Sequence, residues 1–328
     1  EMSCEENIAL IHNIGFQLTI VTQVLACFLS AILSIIVARK CGQLYFHINT
    51  RILLRAMLYL NLFHSIVLIA LQGIHMIQYL TFDPCHIGLS PILCYSLRYP
   101  IASCMVSFAV LQVAMVVERG IALWKRQHYE SYGPKLGLAA VFISIGISLM
   151  AVLAATGGIT QTKPTNYCIL NGIATPQNVI ILKLGICAID LLMIIGTVGL
   201  FLLNKLCLRR KSYDLQSSYQ LFENISVIRI ILPLVVSHTI FYIIFTISGT
   251  AVSMLHQDLE KVTYVTLTSL TYSIPFYTVM SPILIWLTIR WSRQLKETRL
   301  KTLTKPTINE NEAYFQSYKE MWSRPRPK

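Results

Sequence analysis

Residues Cys94–Arg126 read CYSLRYPIASCMVSFAVLQVAMVVERGIALWKR, and the interpretation of the whole chain starts from this stretch. Between Arg98 and Glu118 it holds 19 residues without Asp, Glu, Lys or Arg. As one helix, the segment from Cys94 to Arg119 covers roughly 37 Å, which is the hydrocarbon core of a bilayer plus one headgroup layer. The stretch therefore predicts a membrane-spanning helix with a cysteine at one bilayer face and the Glu118-Arg119 pair at the other.

The composition indicates a membrane protein rather than a soluble one. Of the 328 residues, 55% are hydrophobic and only 13% are charged, which is too few charges to cover a soluble surface. Seven stretches are nearly free of charge, the fifth being broken only by Asp190, and each reaches the ~18–20 residues that cross a bilayer. We therefore predict an all-α membrane protein with seven transmembrane helices. These stretches are 7–38, 56–82, 99–117, 136–162, 184–204, 230–257 and 262–289.

The basic residues predict the orientation of this helix bundle. Of the 27 Lys and Arg residues, all but Arg98, Lys163, Lys183 and Lys261 lie in alternate connections or after the last span. Because Lys and Arg concentrate on the cytoplasmic side, the N-terminus is predicted outside and the C-terminus inside. The net charge of +12 is thus a feature of membrane topology, and no nucleic-acid partner is predicted.

Short connections leave room for one domain, predicted over residues 1–303. At its end, residues 291–303 (WSRQLKETRLKTL) favour a basic amphipathic helix lying on the inner leaflet, with an unstructured basic segment as the alternative. Residues 304–328 are polar and contain proline, so we predict a disordered cytoplasmic tail.

The cysteines suggest disulfides on the outer face, and the absence of catalytic motifs excludes most classes of enzyme. Cys94 and Cys168 fall on the predicted outer face, where a bridge between them would hold the fourth-to-fifth connection across the mouth of the bundle. Cys4 and Cys85 also lie outside, and whether they form a second bridge is left open. With no CxxC, phosphate loop or nucleophile elbow, the sequence predicts no enzyme, no metal and no cofactor.

Charged residues inside or at the end of spans are candidates for function. Glu118-Arg119 ends the third span at the inner face, where the pair either reaches the interface structurally or acts as a switch that a conformational change releases. Asp190 lies deep in the fifth span and must find a donor, with His64, His238 and Lys183 as candidates. It is a candidate ligand contact, with a structural polar contact as the alternative.

The outer halves of the third, sixth and seventh spans supply a candidate ligand site. Their residues are apolar or aromatic with a few hydroxyls, a lining that suits a small and mostly neutral organic molecule. Packing between helices is the alternative role for each of them. The candidates are Ile101, Met105, Tyr242, Phe245, Thr268 and Tyr272.

Two motifs resemble those of the nematode serpentine chemoreceptors of class alpha and class alpha/beta. The first is Glu118-Arg119-Gly120-Ile121-Ala122, similar to the family's ER-x-x-A, with Tyr129 further on. The second is Tyr219-Gln220-Leu221-Phe222-Glu223-Asn224, similar to YQ-x-x-EN, which is the more specific of the two. Seven spans, an outside N-terminus and Cys168 in the second outer connection also resemble G-protein-coupled receptors.

The resemblance implies chemoreception at the plasma membrane of sensory neurons or their cilia. The implied partners are an odorant-like or pheromone-like small molecule, a heterotrimeric G protein and the lipid bilayer, with homo- or hetero-oligomers left open. Arg119 would be the switch, and Tyr219, Gln220, Glu223 and Asn224 would lie where a G protein docks. Gly120 after Arg119, and a seventh span without NP-x-x-Y, depart from the rhodopsin-like pattern.

Two other functions are compatible with seven spans. A ligand-gated cation channel of the insect odorant-receptor type would place the N-terminus inside, against the distribution of Lys and Arg. A transporter would show an internal repeat and paired intramembrane charges, and the sequence has neither. A chemosensory G-protein-coupled receptor is therefore the preferred prediction.

Overall fold

The structure is a computed structural model that describes residues 2–42, 46–129, 133–157, 166–168, 176–209 and 215–303, together with positions 315 and 319. Within these ranges the chain forms α-helices and a short 3-10 helix, Pro84–His86, with no β-strand. The α-helices are α1 (Cys4–His12), α2 (Ile14–Cys41), α3 (Ile48–Thr81), α4 (Pro91–Trp124), α5 (Lys135–Thr156), α6 (Pro176–Arg209), α7 (Leu215–Met254), α8 (Lys261–Leu270) and α9 (Ile274–Leu303).

Seven segments are long and apolar enough to cross a membrane, as the sequence predicted. Helices α2 to α7 supply six of them, and the seventh, Lys261–Trp291, combines α8 with the first part of α9. Large hydrophobic side chains are exposed along α2, α5 and α6, where a bilayer would cover them. The predicted all-α fold with seven transmembrane helices is therefore confirmed, and the chain is a multi-pass membrane protein.

Helix α4, which contains most of the stretch quoted first, is the most enclosed of these helices. In its most apolar part 67% of the residues are buried, against 22% in α5 and α6. Local signals fix where α4 begins, because the hydroxyl of Ser90 accepts the amide of Leu93 at 3.3 Å and Pro91 occupies the first turn. Residues on α4 can therefore contact several neighbouring helices.

Helix α5 packs closely against the start of α3 at a glycine, Gly137. A Cβ atom at Gly137 would lie 2.9 Å from the Cα of Asn49, so a residue without a side chain is needed there. The amide of Gly137 also donates to Oδ1 of Asn49 at 3.0 Å. This contact fixes the inner end of α5 against α3.

The seventh span differs from its prediction as one uninterrupted stretch, because Thr271, Tyr272 and Ser273 separate α8 from α9. Pro275 explains the break, since it has no N–H to donate to Thr271 and its ring would clash with that carbonyl in a continuous helix. At the break, the hydroxyl of Ser273 donates to the carbonyl of Phe241 at 2.9 Å. The chain at this point is thus held against α7.

The predicted outer ends of the helices are joined by two disulfides. Cys94 at the start of α4 is bonded to Cys168, and Cys4 in α1 is bonded to Cys85 after α3. The second bridge, left open by the sequence, is therefore formed. Helix α1 is held further by Nζ of Lys261, 3.2 Å from Oε2 of Glu6. The amide of Ser3 and this ammonium hold the pKa of the Glu6 carboxyl below its ordinary value.

The chain divides into two compact units, Glu1–Trp286 and Leu287–Lys328. In the second unit, the segment predicted as an amphipathic helix, residues 291–303, is helical and belongs to α9. The predicted tail, residues 304–328, lies outside the described residues except for positions 315 and 319.

Candidate functional site

Arg119 is the centre of a buried polar cluster at the predicted inner end of the first unit. Its side chain is 0% exposed and forms an ion pair with Glu118 on the same helix. Nη1 of Arg119 also donates to Oδ1 of Asn224 in α7 at 3.0 Å, and Nδ2 of Asn224 donates back to the carbonyl of Arg119 at 3.1 Å. Two reciprocal hydrogen bonds therefore join α4 to α7 at this position.

Glu118 connects the same cluster to α3 and to the segment after α4. Its carboxylate accepts hydrogen bonds from the hydroxyl of Thr50, at 3.2 Å, and from the hydroxyl of Tyr129. The Tyr129 ring also lies 5.7 Å beneath the Arg119 guanidinium. Burial, followed by the Glu118 charge, raises the pKa of Tyr129, so the phenol remains protonated and can donate.

Two further contacts extend the cluster across the inner end. Oε1 of Glu223 lies 3.8 Å from Nη1 of Arg119 and accepts the backbone amide of His47 at 2.6 Å. Nδ2 of Asn224 reaches Oδ1 of Asn204 in α6 at 3.2 Å. We call the residues Thr50, Glu118, Arg119, Tyr129, Asn204, Glu223 and Asn224 the inner cluster.

The structure brings together four of the six residues predicted to form the switch, namely Glu118, Arg119, Glu223 and Asn224. Gln220 is buried in α7 one turn before Asn224. Tyr219 lies in α7, and its side chain lies outside the part of the chain that is described.

A cavity opens among the outer parts of α4, α6, α7 and α8. Its empty volume is about 710 Å³, a figure that includes the part open to solvent. The sequence predicted seven ligand residues. Six of them line this cavity, and Asp190 is the exception. We call this space the outer cavity; it is lined by Arg98, Ile101, Ala102, Met105, Val106, Val179, Leu182, Lys183, Tyr242, Phe245, Gly249, Thr268, Thr271 and Tyr272.

The lining is largely apolar and aromatic but contains two cationic side chains. The guanidinium of Arg98 lies 5.2 Å from the centre of the Tyr272 ring, and Nζ of Lys183 lies 4.4 Å from that of Phe245. Tyr272 is held in turn by a 2.8 Å hydrogen bond between its hydroxyl and Nε2 of His64. These aromatic rings therefore contact both cations and are positioned by the surrounding helices.

Asp190 is not among the residues that line the outer cavity. It is fully buried in α6, and its Oδ2 lies 2.9 Å from Nδ1 of His238 in α7. The His238 ring contacts both Tyr242 of the cavity and Tyr277 of α9, with ring centres 5.4 and 4.8 Å apart. Of the partners considered for Asp190, the structure places His238 next to it.

Below His238, a hydrogen bond continues to α4. Nε2 of Gln112 donates to the hydroxyl of Tyr277 at 3.2 Å, and the Tyr277 ring packs on Phe108, with the ring centres 5.4 Å apart. Gln112 precedes Arg119 by two turns of α4. Packed side chains thus lead from the outer cavity toward the inner cluster.

Sequence reasoning missed several of these residues for different reasons. Arg98 was assigned only to the outer side, although it precedes Ile101 by three positions and so shares its helix face. Lys183 was considered as a partner of Asp190 but not as a residue of the ligand site. Asn204 ends an uncharged run, where a polar residue is ordinary and gives no signal. Tyr129 was noted only as part of a motif, since nothing local indicates that it meets Glu118.

Seven apolar spans with a buried arginine cluster at one end and a partly enclosed, mostly apolar cavity at the other are typical of a seven-transmembrane receptor. Residues 1–323 match the family of serpentine type 7TM GPCR receptor class ab chemoreceptors. The chain therefore belongs to this chemoreceptor family, which confirms the resemblance seen in its motifs. None of the curated proteins matches it.

Proposed function

We propose that this chain is a chemosensory G-protein-coupled receptor that binds a small organic molecule in the outer cavity and activates a heterotrimeric G protein at its inner face. The inner cluster is the observation that carries the proposal. Asn224 joins α7 to α4 through two hydrogen bonds with Arg119, and the outer cavity lies between the same helices nearer their other ends. This arrangement supports a closed state that opens when α7 moves away from α4.

In this proposal, a ligand in the outer cavity favours the open state because it binds that state more tightly than the closed one. Movement of Tyr242 would be transmitted through His238 and Tyr277 to α4, where Arg119 follows two turns beyond Gln112. Release of Arg119 would expose it, together with Tyr219, Gln220 and Glu223, to the G protein. The receptor would act at the plasma membrane of sensory cells.

Replacement of Asn224 tests this mechanism without a known ligand. Asn224→Ala removes both hydrogen bonds to Arg119. The one donated by the charged guanidinium contributes about 1.5–3 kcal/mol, and the one to the neutral backbone carbonyl about 0.5–1.5 kcal/mol. We therefore expect about a tenfold rise in basal nucleotide exchange on a co-expressed G protein, measured per receptor at the cell surface.

Ser226→Ala is the matched control, because the hydroxyl of Ser226 bonds only within α7, to the carbonyl of Phe222. It should leave basal exchange unchanged. Unchanged exchange in Asn224→Ala, across a panel of G-protein subtypes and with normal surface expression, would contradict the mechanism.

Epitope tags at the two ends test the orientation. A tag at the N-terminus should bind antibody in intact cells, and a tag at the C-terminus only after permeabilisation. The reverse pattern would place the inner cluster outside the cell and exclude coupling to a G protein there.

A further inference from the structure

Arg98 and Lys183 approach the outer cavity from two different helices, α4 and α6. Lys183 is only 9% exposed, and Arg98 is half-buried. Each is close to the face of an aromatic ring, but neither forms a hydrogen bond or ion pair with another residue in the described ranges. Two cations therefore share one partly enclosed site.

No carboxylate of the described residues lines this site. The connection from residue 158 to 175 contains no Asp or Glu in its sequence, and the cavity lining contains none either. Asp190 is hydrogen-bonded to His238, and Glu6 and Asp83 are engaged by Lys261 and His86 at the outer surface. The remaining described outer acids, Glu5, Asp258 and Glu260, are exposed.

Cations removed from water without a counter-ion are unfavourable, and an anion between them would offset this loss of hydration. A guanidinium presents two parallel N–H donors, which match the two oxygens of a carboxylate, sulfate or phosphate. The ammonium of Lys183 supplies further donors to the same oxygens. The polar part of the cavity is thus suited to an anionic head group.

The rest of the cavity is suited to an apolar body. Ile101, Met105, Val106 and Val179 present hydrocarbon surface, and Tyr242 and Phe245 add aromatic faces. One neutral polar group is also provided, since Oγ1 of Thr268 is buried without a hydrogen-bond partner among the described residues. The site therefore combines a cationic end with an apolar interior.

We propose that the outer cavity binds an amphipathic organic anion, with a carboxylate, sulfate or phosphate monoester between Arg98 and Lys183 and an apolar body against Tyr242 and Phe245. This refines the proposed function, on which it rests for the role of the cavity as the ligand site. It also replaces the mostly neutral ligand that the sequence alone suggested.

Gly249 offers a way to block the cavity without changing its charge. A Cβ atom at this position would lie 3.4 Å from Nζ of Lys183 and 3.8 Å from Oγ1 of Thr271. A larger side chain must therefore extend into the space around the ammonium. Gly249→Leu should exclude any ligand from the cavity while both cations remain.

The test compares acids with their uncharged amides. Octanoate is paired with octanamide and indole-3-acetate with indole-3-acetamide, and binding is measured by calorimetry on purified receptor in phosphatidylcholine nanodiscs. We expect at least one acid to bind the wild type about tenfold or more tightly than its amide. In the double variant Arg98→Gln/Lys183→Gln, this preference should disappear.

Lys261→Gln is the matched control, since it removes an outer positive charge that lies outside the cavity. It should keep the preference for the acid. The same preference in the double variant would overturn the anion site. Retention of phosphatidylserine by the wild type and not by the double variant, measured by native mass spectrometry, would support the anion site and assign its source to the bilayer.

Failure of the anion proposal can be separated from failure of the proposed function. Equal binding of acid and amide by the wild type, with both lost in Gly249→Leu, would overturn the anion proposal and keep the cavity as the ligand site. Binding of no probe, or binding that survives Gly249→Leu, would overturn both.

Discussion

Arg119 has no exposed surface, yet its guanidinium has partners on its own helix and on α7. Such a buried cluster contributes little net stability, because the loss of hydration offsets the ionic attraction, but it makes one arrangement of helices strongly preferred. Removal of a single partner leaves a buried group unsatisfied. At the residue scale, we therefore propose that the cluster acts as a latch between helices.

A double replacement separates the latch from the contact that Arg119 would make with a G protein. If Arg119 only restrained the closed state, Asn224→Ala/Arg119→Ala would signal at least as strongly as Asn224→Ala alone. If Arg119 also contacts the partner, as we expect, the double variant should return basal nucleotide exchange to background. The measurement is exchange normalised to surface receptor, and sustained exchange in the double variant would contradict the second role.

Measurements of unfolding distinguish between a structural role and a ligand-binding role for Asp190. Asp190→Ala leaves Nδ1 of His238 buried without its partner, so we expect a loss of about 1–3 kcal/mol and a lower unfolding temperature. Asp190→Leu/His238→Phe replaces both partners by apolar groups and should recover most of that loss. Thermal unfolding of purified receptor is the readout.

A direct ligand contact at Asp190 would give a different result. The double replacement would then unfold normally but bind the cavity probes much more weakly than the wild type.

At the scale of helices, the close contact of α5 with α3 depends on the absence of a side chain at Gly137. Gly137→Ala would place a methyl group 2.9 Å from the Cα of Asn49, so the helices must shift, and overpacking of this kind costs about 1–3 kcal/mol. We expect a lower unfolding temperature and reduced surface expression.

Gly146→Ala on the same helix is the control, because nothing lies within 4 Å of a Cβ atom there. It should unfold at or slightly above the wild-type temperature. Similar effects of the two substitutions would contradict the close approach at Gly137.

The element boundaries show what a sequence can and cannot predict. Spans follow from hydropathy alone, because every backbone polar group in a bilayer must be satisfied within a helix. The break at residues 271–273 does not, since Pro100, Pro233 and Pro282 lie inside continuous helices and only Pro275 coincides with an interruption. Pro275 breaks the helix here, and the hydrogen bond from Ser273 to Phe241 holds the chain against α7 at this point.

The outer cavity and the inner cluster likewise differ in how far the sequence predicts them. Six residues of the outer cavity were predicted because the outer halves of the third, sixth and seventh spans carry apolar and aromatic residues with a few hydroxyls. The bond between Arg119 and Asn224 joins positions 105 residues apart and depends on how α4 and α7 pack. Arg98 and Lys183 were not predicted to belong to the ligand site, since their side chains enter the cavity only in the assembled bundle.

At the scale of the whole molecule, two disulfides close loops of similar length. The separations are 74 residues for Cys94–Cys168 and 81 for Cys4–Cys85, so the chain-entropy contribution is about 4 kcal/mol for each. Any difference between the effects of removing the two bridges must therefore come from contacts in the folded protein. Tyr167, next to Cys168, packs on Phe16 and His75, and Cys94 lies in α4, which lines the outer cavity.

We therefore expect Cys94→Ala/Cys168→Ala to weaken binding of cavity probes more than Cys4→Ala/Cys85→Ala does. Both pairs should lower the unfolding temperature, and Glu6 and Lys261 still hold α1 in the second case. Calorimetry and thermal unfolding on the same preparations give the comparison. Equal losses of probe binding would contradict a specific role for Cys168.

Both cystine bridges have a practical consequence for biosynthesis. Each connects segments that are far apart in the chain, so neither can close until the later cysteine has been translocated and oxidised. A host with an oxidising secretory lumen supplies that chemistry, whereas a reducing cytoplasm leaves four thiols on one rim of the protein. Yeast, insect or mammalian cells are therefore the expression systems from which active receptor should be recovered.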